Sequence, residues 1–188
     1  MMETPKGRGF KSRWARHMSD AEMLCVVDER DNFLRNEERA RVHSSKMWHR
    51  GVHVMLYNSE GELLLELRAR TKDKFPNRWD AISEHVMPGE SYEQAAMRSL
   101  VEELGIKGTH LEPLLRYRMQ YGRQDYMVCK LFSCRYDGPL KPNEETADLK
   151  WFNEKELKAL LMKTRKLTPW AAEHLKWRFD RPHKLIIL

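Results

Sequence analysis

A chain of 188 residues with 41% apolar and 10% aromatic side chains is long enough to bury one continuous core, and this composition excludes a collagen, a coiled fibre or a fully disordered polymer. No apolar run approaches the ~18 residues of a membrane span, and the basic start lacks the apolar stretch of a secretory signal. The net charge of +6 is unevenly spread: residues 1–17 carry +4, residues 155–184 carry +6 and the remainder carries −4, so an acidic middle lies between two basic ends.

In chain order, residues 1–20 read as a basic leader, residues 21–181 as one folded domain and residues 182–188 as a tail. Met23 to Val27 reads as an apolar strand, followed by a turn at Asp31-Asn32 and a return strand. Val52, Val54 and Leu56 alternate before the Asn58-Ser-Glu-Gly61 turn, and Leu63, Leu64, Leu65 and Leu67 follow it as a second hairpin. A polar loop then ends at Pro76-Asn-Arg-Trp79. Ser91 to Leu104 forms the clearest helix, capped by Ser91 and stopped by Gly105. Ala96, Met97, Leu100, Val101 and Leu104 form its apolar stripe, which puts Ser99 and Glu102 on the opposite face and Glu103 at its flank. Strands follow at Pro113–Met119, Tyr126–Cys134 and Asp148–Phe152, then helices at Glu154–Met162 and Pro169–Phe179. This order makes an α/β (α+β) domain with a mixed sheet between helices. Cys25, Cys129 and Cys134 form no CxxC pair, and the simplest reading is a reduced, cytoplasmic setting.

The segment Gly89-Glu90-Ser91, six residues, then Arg98-Ser-Leu-Val-Glu102-Glu103-Leu-Gly105-Ile106 resembles the Nudix box, G-x5-E-x7-R-E-U-x-E-E-x-G-U with U apolar. Glu90, Arg98, Leu100, Glu102, Glu103, Gly105 and Ile106 fall at its spacing, while Glu84 replaces its first glycine and Ser99 replaces the glutamate after the arginine. Adjacent carboxylates on a helix suit Mg²⁺ or Mn²⁺, hard cations that neutralise a diphosphate and orient water, and an arginine four residues before Glu102 keeps them aimed. The resemblance implies a Nudix α/β/α sandwich in which Glu102 and Glu103 are metal ligands, supported by Glu90 and Arg98.

A longer stretch, from about Val26 to about Trp177, resembles one Nudix group, the type I isopentenyl-diphosphate isomerases and their hydrolase-like relatives. Its carriers are Val42-His43, Trp48-His49-Arg50, Arg68-Ala-Arg-Thr-Lys72, Phe75-Pro76, Trp79, His85, Leu115-Arg-Tyr117-Arg118 and Thr168-Pro-Trp170-Ala171. The resemblance implies a second, transition-metal site at His43, His49 and His85. It also implies diphosphate binding by Arg68 and Lys72 and a ring contact to substrate from Trp170; Tyr117 is a further candidate, because an aromatic ring face suits the same task. The acid/base pair of the isomerases is missing: their cysteine reads Ser83, and only Asp125 stands near their two strand glutamates. A serine hydroxyl is too weak an acid to replace a thiol, whereas hydrolysis needs only the surviving diphosphate and metal residues. Glu144 and Glu145 add loop carboxylates of the kind that activate water.

The expectation is therefore a Mg²⁺-dependent pyrophosphohydrolase acting on a small nucleotide-like or prenyl-like diphosphate, without membrane attachment and compatible with a homodimer. Two alternatives remain: an isopentenyl-diphosphate isomerase in which Glu84 serves in place of the thiol, or an inactive Nudix module binding nucleotide or nucleic acid through its basic ends.

Overall fold

The computed structural model describes residues 22–72, 74–123 and 125–188; the expected leader, 1–20, lies outside them. The first hairpin is β1 (Met23–Val27) and β2 (Phe33–Glu38), reversed where Asp31 takes a φ of 73°. A short helix, α1 (Arg39–Ser44), then packs Val42 against Leu24 and Val26. Sequence pattern does not show this helix: it has six residues, no side-chain cap and one buried position. Lys46, at φ 55°, turns the chain into β3 (Trp48–Tyr57), so that His43 and His49 fold back toward each other.

β3 is the spine of the sheet. It runs parallel to β8 (Asp125–Arg135) along its whole length, with Trp48 opposite Tyr126 and Tyr57 opposite Arg135. Its other edge pairs antiparallel with β6 (Ile82–His85), setting Gly51 opposite His85 and His53 opposite Ser83. β4 (Leu63–Arg68) joins β3 only at Leu63 and turns away to pair with β5 (Trp79–Asp80) and β9 (Thr146–Phe152). The sheet therefore splays between β6 and β4, and a cavity opens beside that gap. β7 (Glu112–Tyr121) flanks β8, and β10 (Ile186–Ile187) pairs with β7, so part of the expected tail 182–188 is an edge strand.

Alternation along the strands builds two cores. Val52, Val54 and Leu56 face α2 (Tyr92–Leu104) and meet Ala95, Ala96, Leu100 and Leu104. Met55, Leu65 and Leu131 face the other layer, α3 (Glu154–Leu161) and α4 (Pro169–Arg178), through Leu157, Leu160, Ala171 and Leu175. The result is the three-layer sandwich. α2 begins and ends as its sequence predicts: Ser91 and Gln94 form a reciprocal capping box, and Gly105 closes the helix at φ 72°, a conformation costly for any residue with a Cβ.

Candidate active site

Arg98 is the hub between α2 and the strand before it. Its Nε donates to Glu90 Oε1 at 2.7 Å and its Nη2 to Glu90 Oε2 at 2.9 Å, a two-pronged pair; Nη1 donates to Glu102 at 3.0 Å, and Nη2 also reaches the His85 carbonyl at 2.8 Å. Glu90 Oε2 in turn accepts the backbone N–H of Met87. Burial works against the guanidinium charge, but Glu90, Glu84 and Glu102 outweigh it and raise the Arg98 pKa. The spacing that marks Arg98 and its partners in sequence is thus the spacing of one bonded network.

A cavity of about 210 Å³ lies beside this network. Its acidic wall is Glu66 from β4, Glu84 from β6 and Glu103 from α2; its cations are Arg39, Arg68, Lys72 and Lys74. Burial, then the charges of Glu66, Glu84 and Asp80, push the Glu103 pKa well up, with Lys72 opposing. Burial, then Asp80, push Glu66 up as well, although Thr146 donates to its Oε2 at 2.9 Å. Ionising both Glu66 and Glu103 is therefore costly without a compensating cation beside them. Arg68 is braced by Asp80 (3.1 Å) and by the Lys74 carbonyl, and lies 5.9 Å from the Trp170 ring. Lys72 meets Glu145 at 2.5 Å, and both line the cavity, whereas Glu144 is exposed.

The three expected histidines converge. Nitrogens of His43, His49 and His85 lie within 4.8 Å of one another, with His43 from α1, His49 from β3 and His85 from β6. Asp125 Oδ1 stands 3.6 Å from His43 Nδ1 and 3.5 Å from His49 Nε2. Those atoms and His43 Nε2 are buried without a hydrogen-bond partner, although buried polar atoms are normally satisfied. Burial lowers His43 to about 4 and His49 to about 3, which leaves both neutral and able to ligate.

The other expected residues divide between the cavity and the interior. Ser99 is not on the wet face: it is wholly buried, and its hydroxyl donates to the Ala96 carbonyl at 2.8 Å, the back-bonding common for serine inside helices. Glu102 is held by Arg98 and does not line the cavity, so Glu103 alone of the pair faces it. Tyr117 is wholly buried behind the cavity wall, and Trp170 lines the cavity with its Nε1 donating to Asp80 at 2.5 Å. Sequence reasoning missed Glu66, Arg39, Lys74 and His53 as lining residues. Glu66 and His53 had a signal, each a lone polar residue inside an apolar strand pattern; Arg39 and Lys74 had none.

Fold and site together define a three-layer sandwich built around an arginine-locked glutamate helix, with carboxylates and cations facing one cavity. The NUDIX domain model matches residues 47–177, and the chain belongs to the Nudix family, among whose hydrolases it stands as an enzyme. An uncharacterized Nudix hydrolase of Pseudomonas aeruginosa is 36% identical over 69% of this chain and 77% of its own. An isopentenyl-diphosphate Delta-isomerase of Mycolicibacterium vanbaalenii is 31% identical over 82% of this chain and 90% of its own. A Deinococcus radiodurans crystal structure superposes with a TM-score of 0.69 at 25% identity, covering 83% of this chain and 98% of that one. No helix among the described residues is long and apolar enough to cross a membrane.

Proposed function

We propose that the protein hydrolyses the diphosphate linkage of a small organic diphosphate with the help of a divalent cation. One observation carries this reading: the carboxylates of buried Glu66 and of part-buried Glu84 and Glu103 share one cavity with Arg39, Arg68, Lys72 and Lys74. The cations suit phosphate oxygens, and a hard metal ion would draw the carboxylates into their ionised, ligating form. Mg²⁺ or Mn²⁺ held there would polarise the phosphoryl group and lower the pKa of the attacking water. Arg68 and Lys72 orient the phosphates, Glu103 with Glu66 and Glu84 anchors the cation, and Arg98 fixes the frame without touching substrate. Glu145, which lines the cavity beside Lys72, is the loop carboxylate assigned to take a proton from water. The acid missing at Ser99 is offset by Glu84, in the position where the family pattern has glycine.

The second metal site fits the histidines: the neutral imidazoles of His43 and His49, with partnerless buried nitrogens beside Asp125, join His85 in a donor set for a transition metal. That cluster also favours the isomerase as the second reading, and Ser83 in the thiol position speaks against it. Three buried free cysteines support a reduced, cytoplasmic setting. Assay of nucleoside, sugar and prenyl diphosphates with Mg²⁺ and Mn²⁺, run alongside isopentenyl diphosphate in deuterated water, separates the readings. Metal-dependent monophosphate release supports hydrolysis; deuterium uptake into the carbon skeleton without phosphate release refutes it in favour of isomerisation.

A further inference from the structure

His53 has no part in the metal, phosphate or Arg98 networks, yet it lines the cavity while only 2% exposed. Its Nδ1 lies 2.9 Å from Tyr117 Oη, which also lies 2.6 Å from His174 Nε2 and 3.0 Å from Tyr121 Oη. That leaves Nε2 without a hydrogen bond among the described residues. Ser83 stands directly opposite His53 in the β3–β6 register, so the two side chains share a sheet face with Cβ atoms about 5 Å apart, and Ser83 lines the cavity as well. Met127 and Trp170 line the cavity too, the Trp170 ring centre 6.3 Å from that of His53.

From this arrangement we infer that His53 and Ser83 form a hydrogen-bonding floor that selects a hydroxyl on the organic part of the substrate. The inference rests on the proposed diphosphate site and adds its organic specificity. Burial first, then His174 and His85, hold the His53 pKa well below its ordinary value, so the ring is neutral and is no phosphate clamp. The hydroxyl proton of Tyr117 can go to only one of its three neighbours. If it goes to His174 or Tyr121, His53 donates through Nδ1 and offers Nε2 as an acceptor; if it goes to His53, Nε2–H is a donor. A hydroxyl both donates and accepts, so it satisfies either tautomer, and the Ser83 hydroxyl can complete the pair. A hydrocarbon in the same place leaves a buried nitrogen unpaired, which is how sites built around a substrate hydroxyl reject the analogue lacking it. The cavity, at about 210 Å³, suits a small group and falls below the ~300 Å³ at which drug-sized pockets begin.

The test compares 4-hydroxybutyl diphosphate with butyl diphosphate on the full-length protein with Mg²⁺, measuring kcat/KM and, by calorimetry with Ca²⁺ in place of Mg²⁺, affinity. The wild type favours the hydroxylated compound about tenfold or more. H53L reduces the ratio to about one or inverts it, H53Q retains part of it, and S83A lowers it partially. Tyr117 acts through His53, so Y117F lowers the ratio as well. Melting curves report whether each variant folds, and the ratio is read only within one folded variant. A wild-type ratio near one, a ratio that survives both His53 substitutions, or no binding of either compound overturns the inference. If both bind with the predicted ratio and neither is cleaved, the hydrolysis reading fails and the hydroxyl recognition stands.

Discussion

Replacing Arg98 by lysine keeps one positive charge but removes the planar fork. Arg98 makes four hydrogen bonds, two to Glu90, one to Glu102 and one to the His85 carbonyl, and its side chain is only 16% exposed. An ammonium at the end of a different stem can keep one carboxylate contact and at most one other, so about two charge-assisted bonds are lost. At ~1.5 kcal/mol each, the lower end for bonds to charged groups, the expected loss is about 3 kcal/mol. Arg98→Met, which also leaves Glu84, Glu90 and Glu102 facing one another uncompensated, costs about 4–5 kcal/mol. Urea denaturation at pH 7 measures both, read from the midpoint at unchanged slope. The same variants need more Mg²⁺ for half-maximal turnover, because the turn that holds α2 against β6 loosens. A loss below about 1 kcal/mol for Arg98→Met would refute the view that this network fixes the site.

Burial lowers His49 and His174 to about 3 and His53 well below its ordinary value, so each binds fewer protons folded than unfolded; their stability is present above about pH 6.5 and is lost as pH falls. Glu66 and Glu103 have the opposite sign, so the histidine contribution is isolated by H174N: its stability falls with acid by ~1.4 kcal/mol per pH unit less than wild type below about pH 6, and equal slopes contradict this. His49→Ala weakens Co²⁺ binding, followed by visible absorption, by about 100-fold or more, whereas unchanged affinity removes the histidine site. A Cβ at Gly51 would lie 2.1 Å from Met127 Cε; because that methyl is the end of a flexible chain, Gly51→Ala folds but drives Met127 into the cavity and raises KM about tenfold, and an unchanged KM argues against Met127 as its wall.

The α2 region was legible from sequence because local rules govern it: the Ser91 cap, the apolar stripe, the Gly105 stop and the Glu90–Arg98–Glu102 spacing all act within one short segment. The histidine cluster was legible through resemblance alone, since His43 and His49 meet only because a short, uncapped helix and a left-handed Lys46 bring the chain back. Ser99 was misjudged because its angular position on the helix suggests exposure, whereas the hydroxyl satisfies itself on the Ala96 carbonyl and the side chain is buried. Glu66, Arg39, Lys74 and His53 come from elements far apart in sequence and gather where the sheet splays, which no local pattern encodes.

The central claim is that Glu103, on the cavity wall among like charges, supports metal-assisted cleavage. Purified wild type and Glu103→Gln are compared for Mg²⁺-dependent monophosphate release from whichever diphosphate in the panel the wild type cleaves, with folding checked by urea midpoint. The account predicts that Glu103→Gln is at least as stable, having lost a carboxyl that is costly to ionise, and that its kcat/KM falls by about 100-fold or more. Full turnover in a folded Glu103→Gln protein would contradict it.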